Sequence, residues 1–183
     1  MLYTGPLDLY YSPQFGEVRT RFPIVPFPHV KLHDCDDPNR LDVRGYEVMR
    51  TVVHRRLESL GLKPQAVIAP DVLDILIKGS GGVMRDLIRL IQSAALQADI
   101  AGKDSIEKPE AAKALNELRR QLMAQLTPEY HEVLQAVRST HQRVDKEDKG
   151  EKCDLLLRND IVSSYINDDI WFDAHAALTN EPW

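Results

Sequence analysis

Cysteine is scarce in this sequence. Cys35 and Cys153 are the two among 183 residues, and they form no CxxC pair. They also lie far apart in the sequence, and the two read as reduced thiols. Long apolar runs are missing as well, none approaching the ~20 residues that cross a bilayer, so no membrane partner is expected. No signal-peptide pattern is recognisable at the start, and the expected location is the cytoplasm. Basic excess is also lacking: 23 Lys and Arg stand against 28 Asp and Glu, a formal net charge of -5. A surface built to hold a phosphate backbone usually carries the opposite balance, which makes nucleic acid an unfavoured partner.

One further absence bears on catalysis. A phosphate-binding loop of the Walker A kind needs glycines that present backbone N–H groups, a lysine for the phosphates and a hydroxyl for magnesium. The nearest segment is Gly102-Lys103, but Asp104 stands where the hydroxyl belongs and no glycine-rich loop precedes it. No apolar strand ends in Asp-Glu either. By this route the sequence as given does not bind and hydrolyse ATP.

What is present is ordinary globular material, 43% hydrophobic and 28% charged. The opening run from Met1 to Ser12 alternates apolar positions at Leu7, Leu9 and Tyr11, which reads as a fragmentary strand that would need sheet neighbours to pair with. A proline-rich stretch through Pro23, Pro26 and Pro28 follows and is expected to be an extended connector. His33 to Leu41 is polar turn sequence. From Gly45 the period lengthens: Val48, Met49, Val52, Val53, Leu57 and Leu60 mark a helix that Gly61 stops. Pro70-Asp71 opens a second helix ending at Gly79-Ser80-Gly81-Gly82. A third carries Val83, Met84, Leu87, Ile88, Leu90, Ile91, Ala94 and Ala95, apolar over most of its circumference, and is expected at the centre of the bundle. A fourth begins near Pro109, with Leu115, Leu118, Leu122 and Leu126, and a fifth at Thr127-Pro128-Glu129. Asp145 to Lys152 reads as a mixed-charge loop before a short helix at Leu155–Leu157. Ile161–Ile166 and Ile170–Asp173, separated by Asn167-Asp168-Asp169, read as a β-hairpin over a small core of Tyr165, Trp171 and Phe172.

The expected fold is mainly α. A remnant core and proline-rich connector over residues 1–42 would lead into a helical lid bundle over 43–107. A winged-helix-like module with a C-terminal hairpin would occupy 108–183, since two helices, a short helix and a hairpin is the order of that module.

The most informative segment is Gly79-Ser-Gly-Gly-Val-Met-Arg85-Asp86. An arginine one turn into a glycine-led helix can reach an anion, although short glycine-rich turns beside a surface arginine are common. The run SGGVMRDLIRLIQSAAL resembles the third lid helix of AAA+ and related STAND-type P-loop ATPases. In those families the glycine-led helix bears the second-sensor arginine, and Arg85 occupies its place. MLYTGPLDLYYS is similar to the first-sensor strand, with Thr4 near the polar sensor position. GEVRTRF resembles the arginine-finger segment, and IVSSYINDDIWFDAHAAL looks like the terminal hairpin of bacterial members.

The resemblance implies a lid and regulatory part that senses nucleotide through Arg85, Gly81 and Gly82. Arg21 is implied as the arginine finger, with Arg19 as runner-up. ATP and Mg enter only together with an ATPase core, and the implied partners are that core, neighbouring ATPase subunits and a protein bound through the C-terminal module. Two other readings are an independent winged-helix adaptor or DNA-binding protein, and a small metalloenzyme using His29, His33 and Cys35. For the first of these, Lys149, Lys152 and Arg158 are offset by Asp148, Glu151 and Asp154. For the second, the ligand spacing matches no strong zinc signature, and no metal is assigned. His175 and Asp173 lack a nucleophile or second base to work with.

Overall fold

The computed structural model describes residues 5, 7–11, 15–145, 147–166 and 169–179. The chain is mainly α-helical with one small antiparallel hairpin near its C-terminal end. The described helices are α1 (Leu7–Tyr11), α2 (Gly16–Arg21), α3 (Val43–Ser59), α4 (Pro64–Val67), α5 (Pro70–Gly79), α6 (Met84–Ile100), α7 (Lys108–Met123), α8 (Pro128–Thr140) and α9 (Glu147–Arg158). The strands are β1 (Val162–Ile166) and β2 (Ile170–Ala174), followed by a 3-10 turn at Ala176–Leu178. No described helix is long and apolar enough to cross a membrane.

The residues group into two compact units. One comprises Val30–Gln125 with the 3-10 turn, and the other the chain up to His29 with Leu126–His175. In the first unit the Asp42 carboxylate caps α3 by accepting from the Gly45 N–H at 2.9 Å. It also pairs with Lys31 at 2.9 Å, and that ammonium holds its carboxyl below the usual range. Gly45 is required by packing, because a Cβ there would lie 1.8 Å from the Lys31 carbonyl oxygen. Gly61, at φ +74°, ends the α3 turn as its position predicts. Proline in the first turn of α5, α7 and α8 fixes φ where no intrahelical N–H is needed. α5 packs on α3, α6 and α7, and α6 lies along α7. Met49, Leu73, Leu76, Ile77, Leu87 and Leu90 form the core between them.

In the second unit β1 and β2 pair with Val162 opposite Ala174 and Ser164 opposite Phe172. α8 packs on β2, α9 on β1, and α1 on α9. Tyr165 and Trp171 stack with ring centroids 4.4 Å apart, and both are buried with Phe172, as the aromatic pattern predicts. The His29 N–H donates to the Ser164 carbonyl at 3.0 Å, and its ring Nε2 lies 3.3 Å from Asp160.

Three expectations need correction. The alternation at Leu7, Leu9 and Tyr11 is not a strand, because Leu7–Tyr11 is one short helix, α1. α6 is not buried around its circumference: Leu87, Leu90, Ala94 and Ala98 face the core, whereas Leu96 and Ile100 are 58% and 71% exposed. The mixed-charge run expected as a loop is helical from Glu147, since Lys149 and Lys152 of α9 pair with Glu132 and Glu129 of α8. α7 packs on α6, and Lys108–Met123 groups with the helices that precede it.

Candidate functional site

The segment joining α5 to α6 is built from tight backbone bonds. Gly81 and Gly82 have φ of +60° and +80°, conformations that a side chain makes costly. The Gly81 N–H donates to the Lys78 carbonyl and the Val83 N–H to the Ser80 carbonyl. The Gly82 N–H points at the Ser80 hydroxyl at 3.3 Å, and that buried hydroxyl donates to the Ile77 carbonyl at 2.7 Å. The Gly82 carbonyl in turn accepts from the Val30 N–H at 3.1 Å. A Cβ on Gly82 would sit 1.8 Å from the Val30 carbonyl oxygen. The close approach these glycines permit is thus that of the connector backbone. Their contribution to a ligand site is the fixed placement of the first turn of α6.

On that turn Arg85 is 58% exposed, and the adjacent Asp86 carboxylate is 3% exposed. Arg85 Nε stands 3.8 Å from Asp86 Oδ1, and Arg89 Nη1, one turn on and 63% exposed, stands 3.7 Å from the same oxygen. The helix N-terminus adds a partial positive charge to this pair of cations. Such a surface suits an anion. Sequence reasoning singled out Arg85 but passed over Asp86 and Arg89. The signal was present in the spacing, since positions i and i+4 share a helix face.

The other expected site residues are differently placed. Arg21 ends α2 with its side chain 74% exposed, 4.0 Å from an equally open Glu17, a pairing of little energetic weight. The Arg19 guanidinium lies 4.3 Å from the centroid of the Tyr10 ring, a cation–π contact. Phe22, which follows Arg21, is 61% exposed. Thr4 lies outside the described residues. Among the described residues no group of three His, Cys, Asp or Glu side chains is placed to hold a metal, and His33 Nδ1 instead bonds with the Asp34 carbonyl at 2.9 Å. His175 is fully buried in the hairpin unit.

A cleft of about 330 Å³ between α3 and α5 was not anticipated from sequence. Arg50 and Asp74 close a bidentate pair across it at 2.7 Å and 2.7 Å, beside Tyr46, Ile75 and Lys78. Burial raises the Tyr46 phenol above its ordinary value. Lys78 stands at the rim of the same cleft.

Compared with protein-family models, with curated proteins and with solved structures, the chain finds no match in any of the three.

Proposed function

We propose that this chain is the lid and regulatory portion of an AAA+-type ATPase, in which Arg85 senses nucleotide bound by a P-loop core outside this sequence. The observation that carries the reading is the exposed Arg85 on the first turn of a 17-residue helix whose glycine lead-in is locked to the connector backbone. An arginine so placed reports the charge of an anion docked against it, and the bond between Val30 and Gly82 passes that report to the connector. The absence of Walker A and Walker B segments from the sequence assigns hydrolysis to the core, with ATP and Mg bound there. Arg21, exposed at the end of α2, is the residue we assign to a neighbouring subunit's nucleotide, with Arg19 second because it is engaged with Tyr10. The C-terminal hairpin unit serves contacts with a protein partner. Lys149 and Lys152 on α9 are each paired with a glutamate, which supports that choice over nucleic acid.

The test is Arg85→Ala in the full ATPase that carries these residues. Turnover is expected to fall by about 100-fold, the scale of removing one preorganised charge contact at a reacting phosphate. Near-normal hydrolysis with intact folding overturns the assignment of Arg85.

A further inference from the structure

Phe22 to Pro28 reads FPIVPFP, a run without a charged residue and with prolines at 23, 26 and 28. Each proline fixes its own φ, and each residue before a proline is steered to extended backbone. Every position but Ile24 is restrained in one of these ways. Phe22 shows the outcome, with φ −132° and ψ 137°. Both ends are tied within the hairpin unit. The Phe22 N–H donates to the Val18 carbonyl at 3.0 Å, and the His29 N–H to the Ser164 carbonyl at 3.0 Å. Between the ties exposure alternates: Ile24, Pro26 and Pro28 are half-buried, whereas Val25 and Phe27 are 84% and 92% exposed. Scattered apolar side chains are ordinary on a surface, but a stiff, charge-free strap that holds two of them outward is an interaction element.

The helical unit carries a surface of matching character. The α3–α5 cleft, of about 330 Å³, is lined by the exposed Leu41, Val43 and Ile75 and by the buried Tyr46. Arg50 and Asp74 in the same lining close both arms of their fork on each other at 2.7 Å, so an apolar guest there leaves this charge pair compensated. Lys78, at the cleft rim, is a donor for a carbonyl of an incoming strap. Among the described backbone hydrogen bonds none uses a carbonyl of residues 23–28. An apolar projection on one part of a molecule and a fitting pocket on another make a head-to-tail contact between copies. We infer that the partner of the 22–28 strap is a second copy of this chain, whose α3–α5 cleft receives Phe27 with Val25 beside it. Proline has already restricted the strap, so little conformational freedom is lost on docking. The contact is small, and a Kd on the order of 0.1 mM is expected. It goes beyond the nucleotide-sensing reading and does not depend on Arg85.

The experiment is sedimentation velocity of the purified 183-residue chain, from about ten-fold below to about ten-fold above that Kd. The unaltered chain is expected to associate as concentration rises. Phe27→Ala is expected to weaken association about 30-fold, the worth of burying one phenylalanine ring. Val43→Asp, which puts a charge into the cleft lining, is expected to weaken it about as much, so that each variant alone sediments as a monomer. Mixed in equal amounts, the two retain one intact strap and one intact cleft between them. Association should then return and stop at the dimer. A mixture that stays monomeric overturns the proposal, and so does undiminished association of Phe27→Ala. Monomers in every sample, the unaltered chain included, also overturn it and leave the strap to a different protein. Phe27 is exposed, so its replacement leaves the fold in place. If Val43→Asp unfolds the chain, Leu41→Asp, at another exposed cleft position, serves in the mixture instead.

Discussion

The helical unit and the hairpin unit solve the burial problem with different materials. Val30–Gln125 buries mostly aliphatic side chains, such as Met49, Leu73, Leu76, Ile77 and Leu87, and its buried charges, Asp86 and Glu110, sit in first helical turns beside cations. The hairpin unit buries Tyr165, Trp171, Phe172 and His175 together with Ser163 and Ser164. Aliphatic cores need only shape and volume, whereas a core of hydroxyls and rings also needs hydrogen-bond partners. The helical unit therefore carries exposed arginines on the first turns of α6 beside a core of aliphatic side chains.

Truncating each core should have the largest effects. Leu76→Ala in α5 is expected to cost about 3 kcal/mol, through lost transfer energy plus the cavity left behind. Urea unfolding followed by far-ultraviolet circular dichroism measures it. Trp171→Ala is expected to cost about as much and, unlike Leu76→Ala, to remove most of the near-ultraviolet aromatic signal, since its stack with Tyr165 goes. A loss of that signal in Leu76→Ala of equal size would mean that the two cores are not built as described.

Glycine supplies the next test. Gly82→Ala meets both a positive φ and the Val30 carbonyl, and about 2–3 kcal/mol of destabilisation is expected. Gly61→Ala has a similar φ of +74° but nothing within 4 Å, so only about 1 kcal/mol is expected from the left-handed conformation itself. Equal effects at the two sites, read as thermal midpoints, would remove the argument that the connector backbone is pressed against the glycine loop.

The smallest effect is a pH dependence. Burial pushes the Tyr165 phenol well above its ordinary value. The unfolded chain releases that proton near the ordinary tyrosine pKa of about 10 while the folded chain keeps it. The stability that the neutral buried phenol provides is thus complete below that pH and is lost as pH rises through the folded value. In the helical unit the Lys103 ammonium lowers the Glu110 carboxyl, so the corresponding contribution is present above the ordinary glutamate range and is lost on acidification. Tyr165→Phe should flatten the alkaline decline of the urea midpoint, and Glu110→Gln should flatten the acid one. If Tyr165→Phe leaves the alkaline decline unchanged, the buried phenol is not its source.

Much of the helical unit was legible because long 3.6-residue periods leave little choice, and the hairpin was legible from two short apolar runs around a polar turn. Three alternating positions at Leu7, Leu9 and Tyr11 were too few to tell a strand from a single helical turn. α9 was masked by its charge, which makes sense only when Glu129 and Glu132 of α8 are seen to meet its lysines. The candidate site was only partly legible. A glycine-led helix pointed to Arg85, but no sequence pattern shows that Asp86 is buried while Arg85 and Arg89 beside it are exposed, because burial is a property of the packed helices.

On the proposed function, this chain reads nucleotide without processing it. The most direct measurement is a calorimetric titration of the purified 183-residue chain with Mg-ATP, paired with a phosphate-release assay. On this reading no turnover is expected, and no binding tighter than the roughly millimolar range that a few surface charge contacts provide. Tight binding accompanied by phosphate release would contradict it, because the chain would then contain a complete active site.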